Sequence, residues 1–167
     1  MDSNHSSPLK NSNKISANVS PVKNSGKSTI LGTPVTIIKD KLYWVSDVKP
    51  PQNYKNAFFF NIDADLVYFP FNKDFGPLNL AMVHRFTREL ARLLRDQNYS
   101  ESKVFHYCTS EKPDKMVNAA FLMGCFCIII LKMSAEEAHS KFSEYSHLFK
   151  HFRDASKGDC LYNCTLL

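Results

Sequence analysis

Apolar and polar positions follow two different periods along the chain beyond residue 34. The β-branched and aromatic runs 36–38 and 42–45 flank the polar triplet Lys39-Asp40-Lys41, which predicts a β-hairpin. The apolar run 57–62 is bounded by turn residues and predicts a strand buried on both faces. Segment 104–108 predicts another strand, and segment 66–69 a short extended piece.

Helices are predicted between these strands and after them. Apolar residues at spacings of three and four predict an amphipathic helix after Pro77, which suits a first helical position. Segment 115–131 is almost entirely apolar but shorter than the ~20 residues that cross a bilayer, so it predicts a buried helix. A capping box at Ser134 and Glu137 predicts a helix from Ala135 to about Leu148. Asp159 would cap a last helix that begins at Cys160.

Strands that alternate with helices indicate an α/β layer structure without internal repeats. Composition then separates a tail from this domain. Residues 1–33 hold eight Ser, five Asn, four Lys and no aromatic residue, which predicts a disordered tail because so little apolar surface is available for burial. We expect residues 34–167 to form one domain. Ser7, Ser20 and Thr33 each precede Pro, so they are candidate sites for proline-directed kinases.

Charge and cysteine content narrow the class of partner and the compartment. The net charge of +5 divides into +3 for the tail and +2 for the domain, which has 17 basic and 15 acidic residues. A nearly balanced domain indicates no nucleic-acid partner. Five cysteines and no apolar leader indicate reduced thiols and an intracellular protein. Four arginines line one face of the first helix, either as a solvated face or as a site for an acidic or phosphorylated partner: Arg85, Arg88, Arg92 and Arg95.

The predicted strand, loop and helix around Cys108 resemble the phosphate-binding architecture of cysteine-based phosphatases. In those enzymes a strand ends in His-Cys, five loop residues follow, and an Arg opens the helix. The thiolate needs a helix N-terminus, the backbone N–H groups must converge on the phosphate, and the Arg must grip two oxygens. These requirements define what the segment 106–115 would have to supply.

That segment departs from the pattern at nearly every point. If His106 takes the His position, Tyr107 stands where the nucleophile belongs; if Cys108 is the nucleophile, Asp114 replaces the Arg. The loop has no Gly, its Pro113 lacks a donor, and Glu111 adds negative charge. Lys112 and Lys115 can attract phosphate only as point charges. We therefore interpret the loop as a degenerate phosphate-binding loop without catalytic residues.

Other candidate sites have both a functional and a structural interpretation. Cys108 is either a nucleophile or a small buried residue, and Asp74 either a general acid or a helix cap. Residues 24–29 partly match a nucleotide-binding loop but have no preceding strand. His147 and His151 share a helical spacing without a third ligand, so we expect neither a metal site nor a cofactor.

Five stretches carry a family resemblance: 38–44, 60–63, 74–82, 118–124 and 152–156. The most distinctive are Asp74-Phe75-Gly76-Pro77-Leu78-Asn79 and Phe152-Arg153-Asp154-Ala155-Ser156. In this order they resemble the N-terminal half of the cell-division-cycle-fourteen (mitotic-exit) family of dual-specificity protein phosphatases. The resemblance implies a central sheet flanked by helices and a role in cell-cycle control.

The same resemblance implies a division of labour between two halves. A C-terminal catalytic phosphatase domain, absent from this chain, would act on phosphotyrosine and on phosphoserine followed by Pro. The N-terminal half would pack against it and help to select phosphoprotein substrates with a basic residue downstream. Residence in the nucleus, nucleolus, centrosome or spindle pole is implied in the same way.

We therefore expect a chain that ends before the catalytic half and serves in substrate docking. Without that half it should expose apolar surface, and we expect weak solubility or self-association. Two alternatives stay open: a phosphoprotein-binding adaptor without a catalytic partner, and a weakly active cysteine phosphatase that uses Cys108 with Asp74 as its acid.

Overall fold

The central sheet has four strands and mixed pairing. A computed structural model describes residues 31–50, 54–160 and 163–166. The strands are β1 (Val35–Ile38), β2 (Leu42–Asp47), β3 (Ala57–Phe60) and β4 (Lys103–Thr109), in the spatial order β1-β2-β4-β3. β1 pairs antiparallel with β2, as the predicted hairpin requires, whereas β4 lies parallel to β2 and to β3. The α/β architecture is confirmed.

The described α-helices are α1 (Leu80–Arg95), which lies between β3 and β4, and α2 (Pro113–Ile129) and α3 (Ala135–Ser140), which follow β4. α2 contacts β2, β4, α1 and α3, which explains why it lacks a polar face. Among the described helices, none is long and apolar enough to cross a membrane.

The helix after Pro77 begins later than predicted. The peptide bond between Gly76 and Pro77 is cis, and Pro77 stands outside the helix. Asn79 is the N-cap instead, because its side-chain oxygen accepts a hydrogen bond from the backbone N–H of Met82 at 3.0 Å. The prediction of Pro77 at the first helical position is therefore wrong.

The predicted helix from Ala135 to Leu148 is also wrong in length. Its capping box is present, but the helix ends at Ser140 and is followed by tight turns and a 3-10 turn, Ser146–Leu148. These turns place Phe142, Tyr145 and Phe149 edge-on around the fully buried ring of Trp44. Tertiary packing of aromatic rings therefore overrides local helix propensity here.

One further segment differs from its prediction, and another lies outside the sheets. The C-terminal segment forms a strand rather than a helix: β5 (Phe152–Arg153) pairs antiparallel with β6 (Asn163–Cys164). Segment 66–69 begins with a bend and has no strand pairing, so the predicted extended piece is not part of a sheet.

The sheet is buried on both faces. The side chains of Trp44, Phe60 and Cys108 lie in the main core with the three helices. Val45, Phe59, Phe105 and Tyr107 form a second cluster on the opposite face. The prediction that β3 is buried on both faces is thus confirmed, since Phe58 and Phe60 belong to one cluster and Phe59 to the other.

The predicted tail lies almost wholly outside the described residues, and with it Ser7, Ser20 and segment 24–29. The boundary after residue 33 stays a prediction. At its described end, the N–H of Gly32 donates to the carbonyl of Ser46 at 2.8 Å. The Tyr145 hydroxyl donates to the carbonyl of Thr33 at 2.8 Å.

Candidate functional site

The end of strand β4 places the three residues of the candidate loop on alternating faces of the sheet. His106 and Cys108 point toward the helices, whereas Tyr107 points to the opposite face. Side chains alternate in this way along any strand. No two adjacent residues of this trio can therefore act on one ligand from the same face.

Cys108 is a packed core thiol. It is fully buried and its Sγ contacts the carbonyl oxygen of Val45 at 3.7 Å. Burial raises the pKa of the thiol far above its usual value because the thiolate would lack solvation. A buried thiol with a raised pKa is a poor nucleophile at neutral pH, and the assignment of Cys108 to core packing stays a prediction.

Tyr107 occupies the nucleophile position in the alternative alignment. Its hydroxyl lies 3.1 Å from the carbonyl oxygens of both Asp47 and Val48, to which it donates. Burial raises the pKa of Tyr107 to about 12, with further contributions from the nearby Cys108 and acidic groups. The phenol thus anchors the end of β2 and stays protonated.

His106 is enclosed by aromatic rings. Its imidazole is fully buried, stacks on Phe60 at 4.9 Å with an interplanar angle of 6°, and lies 5.0 Å from the ring of Phe86. Neither ring nitrogen has a hydrogen-bond partner among the described residues. Burial lowers the pKa of His106 to about 3, so the ring is neutral at physiological pH.

The backbone N–H groups that would cradle a phosphate are already hydrogen-bonded. The N–H of Thr109 donates to the Asp63 carboxylate at 3.2 Å, and that of Ser110 to the carbonyl of Asp47 at 3.0 Å. The N–H of Glu111 donates to the Thr109 hydroxyl at 3.3 Å. These three donors point to partners within the chain, so they do not converge on a common anion.

The start of α2 lacks the features that bind phosphate at other helix N-termini. Lys112 is the N-cap without a side-chain capping bond, and Pro113 and Asp114 open the helix. The Nζ of Lys115 donates to the carbonyl of Asp63 at 3.0 Å. At the place where a phosphatase has its Arg, Pro113 therefore lacks an N–H donor, Asp114 carries a negative charge, and the Lys115 ammonium is already hydrogen-bonded.

Asp74 organises a loop and does not cap a helix. Its carboxylate accepts hydrogen bonds from the Tyr68 hydroxyl and from the backbone N–H groups of Phe71 and Asn72. Chiefly the bond from Tyr68 lowers the pKa of Asp74 to about 2. A general acid must hold a proton near neutral pH, which this carboxylate does not.

A cavity of about 430 Å³ lies between this loop and the start of α2. Its charged lining comprises three acidic and two basic residues: Asp63, Asp74, Asp114, Lys73 and Lys115. The acidic excess would repel a phosphate dianion. The cavity thus lies beside the candidate phosphate-binding loop, but the charges that line it do not favour a phosphate group.

The residues that carry the family resemblance come together beside this cleft. The Asn118 side chain donates to the carbonyl of Phe75 at 2.7 Å, and the rings of Phe75 and Phe152 lie 5.5 Å apart. Gly76 packs against the side chains of Asn118 and Phe152 and leaves no room for a side chain of its own, because a Cβ there would lie 2.5 Å from Asn118 and 2.6 Å from Phe152. Three separate sequence stretches therefore form one packing cluster.

The rest of the motif around Phe152 makes local contacts. Arg153 lies in β5 and its guanidinium donates to the carbonyl of Gly158 at 3.3 Å. The Asp154 carboxylate accepts from the N–H and the hydroxyl of Ser156. The carbonyl of Ser156 in turn accepts from the Asn72 side chain at 2.7 Å, which ties this turn to the loop of Asp74.

Sequence reasoning missed the side chains that hold the cleft together. The Asn61 side chain donates to the carbonyl of Tyr107, and the Asp63 carboxylate accepts from the N–H of Thr109, both in β4. The Tyr68 hydroxyl donates to the Asp74 carboxylate. The Asn61-x-Asp63 spacing is a signal for a local side-chain turn, and the Asn61 oxygen does accept from the N–H of Asp63 at 2.7 Å. No comparable signal marks Tyr68.

No group of three metal-ligating side chains occurs within the described part of the chain. His147 lies in the 3-10 turn after α3, and His151 follows it in irregular structure, so the two do not share a helix. Cys125 is partly buried and Cys127 fully buried in α2, and both are free thiols.

Comparison with known proteins shows which family this chain matches. Residues 36–167 match the family model described as "Dual specificity protein phosphatase, N-terminal half". The chain is 44% identical over 131 residues to dual specificity protein phosphatase CDC14A of Mus musculus, and 42% identical over 132 residues to that of Homo sapiens. Each alignment covers 78% of this chain and 22% of the relative.

A more distant relative gives the same picture. The tyrosine-protein phosphatase CDC14 homolog of Schizosaccharomyces pombe is 31% identical over 128 residues, which cover 75% of this chain and 24% of that protein. The matched part of the chain therefore spans about a quarter of the length of these relatives or less.

Proposed function

The chain belongs to the family formed by the N-terminal halves of dual specificity protein phosphatases, and we propose that it docks substrates for a catalytic half instead of performing catalysis. The matched relatives are named as dual specificity or tyrosine-protein phosphatases. Their names describe whole proteins of which this chain covers a small part. The catalytic partner, the phosphoprotein substrates and any role in cell-cycle control therefore belong to this proposal.

One observation carries the non-catalytic part of the proposal. At the end of β4, the buried Cys108 thiol, the engaged N–H groups and the acidic start of α2 exclude the thiolate and the anion cradle together. Restoring one of these features would leave the others missing. The alternative of an active cysteine phosphatase lacks support from this geometry.

The docking part is supported by the cleft and by exposed apolar side chains next to it in the sequence. Phe69 and Phe71 are 83% and 92% exposed, although Asp74 fixes the loop that carries them. Leu80, at the start of α1, is 80% exposed. Large apolar groups held outward in this way are typical of a surface that a partner covers. We propose that the catalytic half covers this surface.

Substrate selection is proposed for the acidic cleft beside that surface. Asp63, Asp74 and Asp114 suit a basic residue downstream of a phosphorylated Ser-Pro pair, which the family resemblance implies. Proline-directed phosphorylation at Ser7, Ser20 and Thr33 and residence at nucleus, nucleolus, centrosome or spindle pole are further proposals from the sequence. Phosphopeptide mapping and imaging of the tagged chain in dividing cells test them.

Hydrolysis of para-nitrophenyl phosphate by the purified chain tests the absence of catalysis. We expect no turnover above buffer, and the same result for Cys108→Ser, because the thiol is buried and protonated. Turnover that Cys108→Ser abolishes would establish the cysteine phosphatase alternative instead. Tight binding of Ser-Pro phosphopeptides by the chain alone, without turnover, would favour the adaptor.

A further inference from the structure

A second groove lies between helix α1 and the C-terminal end of α2. Its volume is about 1010 Å³, and it shares no lining residue with the cleft at Asp74. One wall is α1 from His84 to Arg95, and the other holds Ile129 and Ile130. The proposed contact with a catalytic half does not involve these residues, so the groove requires its own explanation.

The α1 wall presents basic side chains to this groove. Arg88 and Arg92 are exposed and both contact Glu89, at 3.4 and 3.1 Å. These contacts use one donor nitrogen of each guanidinium and leave its other N–H groups available. The side chain of Arg95 is exposed and makes no ion pair or hydrogen bond with the described residues. The wall therefore offers several unused donors along two turns of helix.

The opposite wall is apolar and unusually exposed. Ile129 and Ile130 are 43% and 38% exposed at the point where α2 ends. Branched apolar side chains in a concave surface favour an apolar group of a partner, since burial removes their surface from water. Arginine on one side and isoleucine on the other thus define a two-part recognition surface.

We propose that this groove docks an acidic segment of a protein partner, in which carboxylates alternate with apolar side chains. The carboxylates would pair with Arg88, Arg92 and Arg95, and the apolar side chains would cover Ile129 and Ile130. Charge complementarity selects a protein segment over a nucleic acid, because the groove also holds the acidic residues Glu89 and Asp96 and its apolar wall would be left uncovered by a phosphate backbone.

Fluorescence anisotropy with the full chain tests this proposal. The probe is a labelled synthetic peptide that repeats Glu-Glu-Leu-Leu, and its comparators repeat Ser-Ser-Leu-Leu and Lys-Lys-Leu-Leu. We expect saturable binding of the acidic peptide that weakens as salt rises. Arg95→Glu should weaken it by about fivefold, and the pair Ile129→Ser and Ile130→Ser by about tenfold.

Two matched controls separate the groove from general effects of charge and folding. Lys39→Glu makes the same charge change at an exposed position outside the groove, and Ile128→Ser removes an equally exposed isoleucine, 41%, that does not line it. Both should leave affinity within about twofold of the unmodified chain.

Several results would overturn the proposal. One is failure of the acidic peptide to bind, and another is equal weakening by the groove variants and their controls. Equal or tighter binding of the serine or lysine peptide would also contradict it. Protection of Ile129 by self-association of the chain, or displacement of the acidic peptide by DNA or by anionic lipid vesicles at lower concentration, would assign the groove to a different occupant.

Discussion

At the residue scale, burial keeps the side chains at the end of strand β4 in their uncharged forms. His106 and Cys108 are both fully buried, and Tyr107 is 7% exposed. Desolvation disfavours the charged form of each side chain, so the imidazole is neutral and the thiol and phenol are protonated. The sequence His106-Tyr107-Cys108 partly resembles a phosphatase motif because it keeps a His and a Cys at a strand end, but both side chains are packed in the core.

The buried His106 predicts a pH dependence of stability. Its folded pKa of about 3 lies below the value of 6.5 for an unperturbed His, so the unfolded chain binds a proton between these pH values and the folded chain does not. The contribution of His106 to the free energy of unfolding is therefore complete above pH ~6.5. It falls by about 1.4 kcal/mol per pH unit as the pH decreases toward ~3. Urea unfolding from neutral to mildly acidic pH measures this slope.

Substitution isolates the contribution of this one histidine. In His106→Phe the part of the slope due to the imidazole should disappear, because phenylalanine does not titrate. His147→Phe is the control, since His147 is exposed and its replacement should leave the slope unchanged. Identical slopes for the unmodified chain and His106→Phe would show that His106 is not the group responsible.

At the element scale, the loop from residue 66 to residue 78 is the part of the fold that the family motif specifies. Hydrogen bonds to Asp74 fix its first half, and the packing of Phe75 and Gly76 against Asn118 and Phe152 fixes its second half. Strand β5 and helix α2 thus hold a segment that has no regular structure of its own.

Gly76 provides a direct test of this packing. Gly76→Ala would place a Cβ within 2.6 Å of Phe152 and nearer still to Asn118, so we expect a loss of ~1–3 kcal/mol in the free energy of unfolding. Gly124→Ala is the matched control, since nothing lies within 4 Å of a Cβ there and alanine favours a helix interior by ~0.5–1 kcal/mol. Chemical unfolding should show that Gly76→Ala lowers the free energy of unfolding and Gly124→Ala raises it. Equal changes for the two variants would contradict the packing account.

The sequence predicted those elements whose signal is local. The hairpin of β1 and β2, the strand β4 and the helices α1 and α2 were visible in residue periodicity, and they surround the candidate site. The start of α3 was visible in its capping box, but its early end and the pairing of β5 with β6 were not, because aromatic packing on Trp44 and contacts between distant segments determine them. For the same reason, spacing in the sequence did not show that the Asp63 carboxylate accepts a hydrogen bond from the N–H of Thr109.

At the scale of the whole molecule, exposed apolar side chains distinguish this domain from one that is complete by itself. Phe69, Phe71 and Leu80 are each at least 80% exposed within one short stretch of chain. A monomeric domain rarely leaves such a group of large side chains in water. Exposure of these side chains should therefore have a measurable consequence in the isolated chain.

We predict that the isolated chain self-associates through this surface. Sedimentation velocity should show a concentration-dependent increase in size, and the pair Phe69→Ser and Phe71→Ser should reduce it. Val48→Ser, which removes a side chain that is 53% exposed elsewhere, is the control and should have little effect. A monodisperse monomer at all concentrations would show that this surface does not need a partner.

The most direct test of the central claim is kcat/KM of a chimera. In it, residues 36–167 replace the segment of mouse CDC14A that they match, and the substrate is a phosphoserine-proline peptide with a basic residue downstream. We predict kcat/KM within about tenfold of the intact mouse protein, unaffected by Cys108→Ser, because the docking proposal assigns binding and not chemistry to this segment. A chimera that hydrolyses the peptide no better than mouse CDC14A lacking this segment would contradict the docking function.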